Sequence, residues 1–178
     1  MSTMSDIQQL VDKGILFEYE IFDPDPDFEV VRMLYVTQEL MNLCPPTGKS
    51  RDKDALTGAR LDGARALFYD FVGGEKMFEG QEITFLIPPQ NQVWEFRLVP
   101  KAKNEKHVRF FGWFVDYDVF VITHMQMRDN LGNYGDPRWT KEINKCKEKR
   151  KRLCNSLQVL NAGMDITKYL SNSETRVY

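Results

Sequence analysis

Three stretches of the sequence decide the fold: VWEFRLV (93–99), HVRFFGWFV (107–115) and DVFVITHMQM (118–127). Each is rich in aromatic and β-branched residues, which are enriched in strands. The second and third are separated only by Asp116 and Tyr117, and strands joined by so short a link pair antiparallel. These stretches therefore predict three consecutive antiparallel strands.

The rest of the chain adds helices around these strands. ILFEYEIF (15–22) alternates like a half-buried strand, whereas 28–43 and 56–73 carry apolar residues at helical spacing. Residues 82–87 form a further short strand or an extended insertion, and 138–158 form a basic helix. We expect an α+β fold: an antiparallel sheet of about four strands, an N-terminal helical hairpin on one face and a C-terminal basic helix.

The length and composition favour one compact domain. The chain has 178 residues, of which 42% are apolar and 28% are charged, as in ordinary globular proteins. We expect a single domain over 1–158, with insertions near 44–56 and 75–92, and a C-terminal tail over 159–178.

The same sequence excludes several classes of protein. No stretch is long and apolar enough to span a bilayer, and the first residues, MSTMSDIQQLVDKG, lack the pattern of a secretory signal. The three cysteines are an odd number without metal-ligand spacing, so a disulfide framework or a zinc site is not expected. A reducing cytoplasm is the expected location, with no membrane partner.

Charge is distributed unevenly along the chain. Residues 1–92 hold 8 Lys+Arg and 16 Asp+Glu, a net charge of −8, whereas residues 93–152 hold 14 and 8, a net charge of +6. A basic half predicts a surface that faces a polyanion. The alternative is a charged face that is simply solvated.

Side-chain alternation predicts a cationic face on the sheet. If the apolar faces of the strands pack on the helical hairpin, basic and polar side chains gather on the opposite face, which stays open to water. Guanidinium groups match phosphate oxygens in pairs and stay charged, so the natural ligand is a phosphate ester. The residues of this predicted face are Arg97, Arg109, His124, Gln126 and Arg128.

Each of these residues also has a plainer interpretation. Charged residues are common on the exposed face of a half-buried sheet, and Glu95 can pair with Arg97 or Arg109. His124 lies in an apolar run, where a lone histidine is more often a core residue than a catalyst. Phe111 or Trp113 can stack on a base, although packing explains them more simply.

Part of the sequence resembles a known family. VWEFRL (93–98), HVRFFGWFVDYDVFVITHMQMRD (107–129) and WTKEINKCKEKRKRL (139–153) are similar to the RelE/HigB-type toxins of bacterial and phage-associated toxin–antitoxin modules. In that family, a Leu-(Trp/Tyr)-Glu-(Leu/Phe)-Arg strand precedes an arginine-containing strand, and an apolar strand ending in histidine and basic residues leads to a basic helix. The resemblance covers 93–153 and is only architectural over 15–74.

The resemblance implies a metal-independent endoribonuclease that needs no cofactor and cleaves mRNA, commonly on the ribosome, until a cognate antitoxin protein neutralises it. In such a reaction the RNA 2′-OH attacks the adjacent phosphorus. Arg97 and Arg109 would stabilise the developing charge, and His124 would act as acid or base. The residues expected to hold flanking phosphates are Lys101, Lys103, Arg128, Lys145 and Arg150.

Two departures from the family pattern keep a second function open. The last strand ends in Met127-Arg128-Asp129, with one basic residue where the family usually has two, and the chain is longer than typical members. These features favour a non-catalytic, toxin-like protein that binds RNA or a protein partner.

Overall fold

The computed structural model describes residues 4–21, 24–47, 55–99, 107–153 and 159–174. Four α-helices lie in these ranges: α1 (Met4–Asp12), α2 (Gln38–Leu43), α3 (Gly58–Val72) and α4 (Pro137–Leu153). The strands are β1 (Leu16–Glu18), β2 (Met33–Thr37), β3 (Met77–Phe78), β4 (Ile83–Leu86), β5 (Val93–Leu98), β6 (Val108–Asp116), β7 (Val119–Met127) and β8 (Ser173–Glu174).

Six strands form one mixed sheet in the order β1-β2-β7-β6-β5-β4. The chain reverses direction through β5, β6 and β7, which pair antiparallel as their short links predict. β2, however, pairs parallel with β7, and β1 and β4 extend the two edges. The α+β fold is therefore built on a six-stranded mixed sheet with one parallel pair, and the prediction of about four antiparallel strands is wrong.

The predicted N-terminal helical hairpin is also wrong. Its first helix was expected over 28–43, but Met33–Thr37 is a strand and only Gln38–Leu43 is helical. Leu34, Tyr35 and Val36 are all buried, because β2 lies inside the sheet and both faces of the sheet are covered. Such a strand has a continuous apolar run, which also fits one side of a helix.

The sheet separates two apolar cores. On one face, α3 places Phe68 and Phe71 against Phe96 of β5. On the other face, α1 and α4 cover a second cluster that includes Phe111 and Trp113 of β6. The result is a three-layer arrangement, in which α4 lies on the face that was predicted to be open to water.

A bulge in β7 changes which side chains share a face. Gly112 is opposite Ile122 and Phe111 is opposite His124, so Thr123 is an extra residue that has no opposite residue in the register with β6. Ile122 therefore faces the α3 core, while His124 faces α4. Simple alternation would have placed Ile122 and His124 on the same face.

The C-terminal segment packs into the fold rather than trailing from it. Ile166, Tyr169 and Leu170 are buried in the α3 core, and β8 pairs parallel with β3. The segment predicted as an insertion over 75–92 supplies β3 and β4. Of the other predicted insertion, residues 48–54 lie outside the described residues. None of the described helices has the length and apolar character needed to cross a membrane.

Candidate functional site

The strand register brings the predicted catalytic residues onto neighbouring strands. Arg97 of β5 is opposite Arg109 of β6, and Arg109 is opposite Gln126 of β7. Their side chains consequently share the face that α4 covers. This surface, with its polar residues between the sheet and α4, is the candidate site.

The predicted cationic patch is not open to water at its centre. Arg109 is 2% exposed, and Glu95 and His124 are fully buried. The physical reason is the second apolar core, since Phe111 and Trp113 on the same face require cover and α4 provides it. The expectation of an accessible floor of guanidinium and imidazole groups is therefore wrong at Arg109 and His124.

Glu95 is the centre of a buried polar cluster. One carboxylate oxygen, Oε2, lies 3.5 Å from Nε of Arg109, and the other, Oε1, lies 3.6 Å from Nε of Arg97. The hydroxyl of Tyr134 donates a hydrogen bond of 2.9 Å to Oε1. Burial raises the pKa of Glu95, and the Arg109 guanidinium opposes this shift. Burial likewise lowers the pKa of Arg109. These four residues are called the Glu95 cluster below.

Arg97 and Arg128 keep partial access to water but are held by other groups. The Arg97 guanidinium donates to the carbonyl oxygen of Gly80, and its side chain is 21% exposed. The Arg128 guanidinium donates to the carbonyl oxygen of Gly132 and lies over the rings of Tyr134 and Trp139, 5.5 and 5.4 Å from their centroids. Cation–π contact of this kind orients the guanidinium.

His124 is enclosed by partners on every side. Its ring stacks on Phe111 at 5.0 Å between centroids, and Nδ1 lies 2.7 Å from the Thr123 hydroxyl. Nε2 lies 3.1 Å from a carboxylate oxygen of Glu142 on α4. Burial lowers the pKa of His124, although Glu142 opposes the shift. A histidine in this position holds α4 against the sheet and has no path to a ribose hydroxyl.

The enclosure of His124 predicts a loss of stability in acid. The unfolded chain takes up a proton near the ordinary histidine pKa of about 6.5, whereas the folded protein resists protonation because its His124 pKa is lowered. The free energy of unfolding therefore keeps the whole contribution of His124 above that pH. As the pH drops below it, the free energy of unfolding falls by at most about 1.4 kcal/mol per pH unit. Urea unfolding at pH 7.5 and 5.5 measures this difference.

In the variant His124→Gln, the acid-dependent part of the loss is expected to be smaller. The same measurement on His107→Gln separates the effect from the second histidine of the chain. Equal pH dependence in the wild type and His124→Gln would contradict the prediction. Other charged groups face His124 and can add their own pH dependence: Glu39, Glu142, Lys145 and Lys149. The variant is therefore compared with the wild type at each pH.

Two predicted RNA-binding residues have partners within the chain. Lys145 lies 3.5 Å from a carboxylate oxygen of Glu39 on α2, and Lys149 also pairs with Glu39. Arg150 donates to the carbonyl oxygens of Asn91 and Gln92 at 2.9 and 3.1 Å. These contacts attach α4 to the rest of the fold. Lys101 and Lys103, predicted to hold phosphates, lie outside the described residues.

The outer side of α4 carries basic side chains that the structure leaves available. None of them forms an ion pair with a described acidic residue, and three are exposed and one is half-buried. Helical spacing is the signal for this set, since Ile143 and Cys146 mark the inner side of the same helix. The set, called the basic ridge below, consists of Lys141, Lys147, Lys151 and Arg152.

Other chemistry has little support in the described residues. No group of three or more His, Cys, Asp or Glu side chains there is arranged to hold a metal ion. Cys44 and Cys146 are free and buried. Burial raises the pKa of Cys146 to about 11, which disfavours the reactive thiolate. Cys154 lies outside the described part of the chain.

The geometry of the site therefore separates two regions: a closed polar interior beneath α4 and an open basic ridge on its outer side. Comparison with known proteins adds no relative: no family model, no curated protein and no solved structure matches the chain.

Proposed function

We propose that this chain is a RelE/HigB-like protein that binds RNA on the basic ridge and does not cleave it with Arg109 and His124. The observation that carries the proposal is the two-sidedness of α4. Its inner side, with Trp139 and Ile143, packs on the sheet, and its outer side presents the basic ridge. The sequence left open a non-catalytic protein that binds RNA or a protein partner, and RNA binding is the first of these two.

The charge of the ridge suits a polyanion. From Lys141 to Arg152 the ridge extends about 16 Å along the helix at about 1.5 Å per residue, so several phosphates fit along it. Lys and Arg neutralise phosphates and release counterions, a term that dominates non-specific nucleic-acid binding. Because residues 1–92 carry a net charge of −8, the attraction is localised on this part of the chain.

RNA fits the ridge better than a protein partner does. Protein interfaces usually have aromatic or other apolar anchors at their centre and are depleted in lysine and glutamate. The outer side of α4 instead has lysines, Asn144 and Glu148. Lysine binds phosphate as a point charge without requiring a fixed geometry. Binding by an acidic protein segment is the competing outcome of the experiment below.

Charge reversal on the ridge is expected to weaken RNA binding. The double variant Lys147→Glu/Lys151→Glu should bind a fluorescein-labelled single-stranded RNA at least about tenfold more weakly, and its affinity should depend less on salt, by about 0.7 in the log–log slope per lost phosphate contact. Fluorescence anisotropy over a series of KCl concentrations measures both quantities.

Lys13→Glu/Lys168→Glu is the matched control, because it makes the same change in net charge on exposed residues outside α4. It is expected to keep most of the affinity. An equal loss in both variants would show that net charge alone drives binding. Unchanged binding in the α4 variant would contradict the ridge. A labelled poly-glutamate peptide that binds more tightly than RNA would favour a protein partner instead.

The endoribonuclease function that the resemblance implies is the alternative to this proposal, while the antitoxin, the ribosome association and the cytoplasmic location remain predictions from the sequence. The wild-type protein is expected to leave end-labelled mRNA intact, both free and in a translating extract. Cleavage of RNA but not of DNA with the same sequence, abolished by Arg97→Ala in a folded variant, would support the nuclease and contradict this proposal. Arg97 is the informative position because its side chain is partly exposed.

A further inference from the structure

Tyr134, a member of the Glu95 cluster, fills a slot between the Glu95 carboxylate and Trp139 of α4. The ring of Tyr134 stacks on Trp139, with centroids 4.5 Å apart and planes inclined by 20°. The Arg128 guanidinium lies 5.5 Å from the Tyr134 centroid. The phenol hydroxyl reaches inward and donates to Glu95 at 2.9 Å. A flat ring here is thus stacked on one side, contacted by a cation and hydrogen-bonded at its inner edge.

These contacts are the ones with which proteins hold an unstacked nucleobase. Bases of single-stranded RNA stack on aromatic rings and guanidinium planes, and their edges are read by hydrogen bonds. We propose that Tyr134 occupies a guanine-binding slot, formed by Trp139, Arg128 and Glu95, and that a guanine of the bound RNA takes its place. The inference rests on the proposed RNA binding and adds a base preference to it.

Tyr134 is placed so that it can leave the slot while the slot itself stays intact. The residue is 54% exposed, and it lies between Gly132 and Gly135, which have φ of +65° and +94°. Glycine adopts such φ values at little cost, so this short tip can change conformation. Trp139, in contrast, is 4% exposed and belongs to α4, and its indole N–H points to the carbonyl oxygen of Gly132 at 3.5 Å.

Glu95 is the feature that selects guanine. Its carboxyl is fully buried, and Oε2 accepts no hydrogen bond from the described residues although Nε of Arg109 is 3.5 Å away. An ionised carboxylate only accepts hydrogen bonds. Burial raises the pKa of Glu95, and the guanidinium groups of Arg109 and Arg97 oppose this shift and favour the ionised form. Guanine presents two adjacent donors, N1–H and the 2-amino group, so that one can take the place of the Tyr134 hydroxyl on Oε1 while the second adds a donor beside it. Adenine presents an acceptor beside its single amino donor.

The test compares two variants of Tyr134 with guanosine, inosine and adenosine 5′-monophosphate as ligands, by isothermal titration calorimetry. Tyr134→Gly empties the slot and should bind guanosine monophosphate about tenfold more tightly than the wild type, since the Trp139 ring face is then free to stack on the base. Tyr134→Phe keeps the ring stacked and should stay near the wild type. Inosine monophosphate lacks the 2-amino group and should bind Tyr134→Gly between the guanosine and adenosine ligands.

The base preference is measured by comparing three ligands on the same protein. The test therefore needs no substitution of the buried Glu95, which could prevent folding. A Tyr134→Gly protein with a wild-type circular dichroism spectrum that gains no affinity, or that binds the guanosine and adenosine ligands equally, would overturn the inference. If Lys147→Glu/Lys151→Glu binds RNA more weakly while Tyr134→Gly shows no preference for guanosine monophosphate, the guanine slot is overturned and RNA binding by the basic ridge stands. If the preference appears while the ridge variant binds RNA normally, the slot stands and the ridge is overturned.

Discussion

Replacing Arg109 with leucine is expected to lower the free energy of unfolding by about 3–5 kcal/mol, the usual cost of removing one partner of a buried ion pair. Arg109 is 2% exposed, and its Nε lies 3.5 Å from the fully buried carboxylate of Glu95. Without the guanidinium, Glu95 keeps only the 3.6 Å contact with Arg97 and the Tyr134 hydroxyl. Urea unfolding followed by circular dichroism measures the loss.

A double-mutant cycle measures how strongly Arg109 and Glu95 are coupled in the folded protein. Glu95→Gln with Arg109→Leu should destabilise by less than the sum of the single changes. Among the described residues, Arg109→Leu leaves the buried Glu95 carboxylate with Arg97 as its only ion-pair partner, and Glu95→Gln leaves the buried Arg109 guanidinium without a carboxylate, whereas the double change removes both buried charges. Arg152→Leu, on the outer side of α4, is the surface control and should stay within about 0.5 kcal/mol of the wild type. If Arg109→Leu is as stable as the wild type, or if the losses in unfolding free energy of the two single variants add up to that of the double variant, Arg109 is not held by Glu95.

The central strands were predictable because local signals agree there. VWEFRL, VRFFGWFV and VFVITHMQM combine strand propensity with links too short for any crossover, so their antiparallel order follows from the sequence. The clustering of Arg97 and Arg109 follows as well, because alternation and register together place them side by side. Both predictions use only segments that are adjacent in the chain.

β2 was not predictable in the same way. Leu34, Tyr35 and Val36 face two different cores across the sheet, and their apolar run has no alternation that would identify a strand. Its parallel pairing with β7 joins segments more than 80 residues apart, which no local pattern specifies. α1 carries a clearer signal: Ile7, Leu10 and Val11 have helical spacing, and Ile7 and Leu10 are buried.

Two further features that local sequence patterns do not specify, the bulge in β7 and the position of α4, determine the burial of the candidate site. The bulge at Thr123 turns His124 towards α4, and one extra residue in a strand leaves no reliable mark in the sequence. The placement of α4 over the same face follows from the surplus of aromatic residues: Phe111 and Trp113 exceed what one core requires, so a second core must form. The surplus of aromatic residues is visible in the sequence. Which helix covers them depends on packing between segments that are distant in sequence, and local patterns do not specify it.

Arg32 shows how the parallel strand is fixed in place. It directly precedes β2 and its side chain is fully buried. The guanidinium donates to the carbonyl oxygen of Phe71 in the last turn of α3 at 3.2 Å, to that of Glu75 just beyond α3 at 2.9 Å, and to that of Ser171 in the C-terminal segment. Its Nε also lies 3.5 Å from Asp118, in the turn between β6 and β7. One side chain thus links the start of β2 to three segments distant in sequence.

Arg32→Leu is expected to lower the free energy of unfolding by about 3–5 kcal/mol, since it removes the donor of several buried carbonyl oxygens and the cation that faces Asp118 at once. Arg32→Lys should recover only part of the loss, because an ammonium group cannot reproduce the planar fork that reaches separate carbonyls. Hydrogen exchange should show β2 and the segment 166–172 losing protection before β5 and β6. A loss no larger than that of Arg152→Leu, or a full rescue by lysine, would mean that the apolar contacts of β2 alone hold it beside β7.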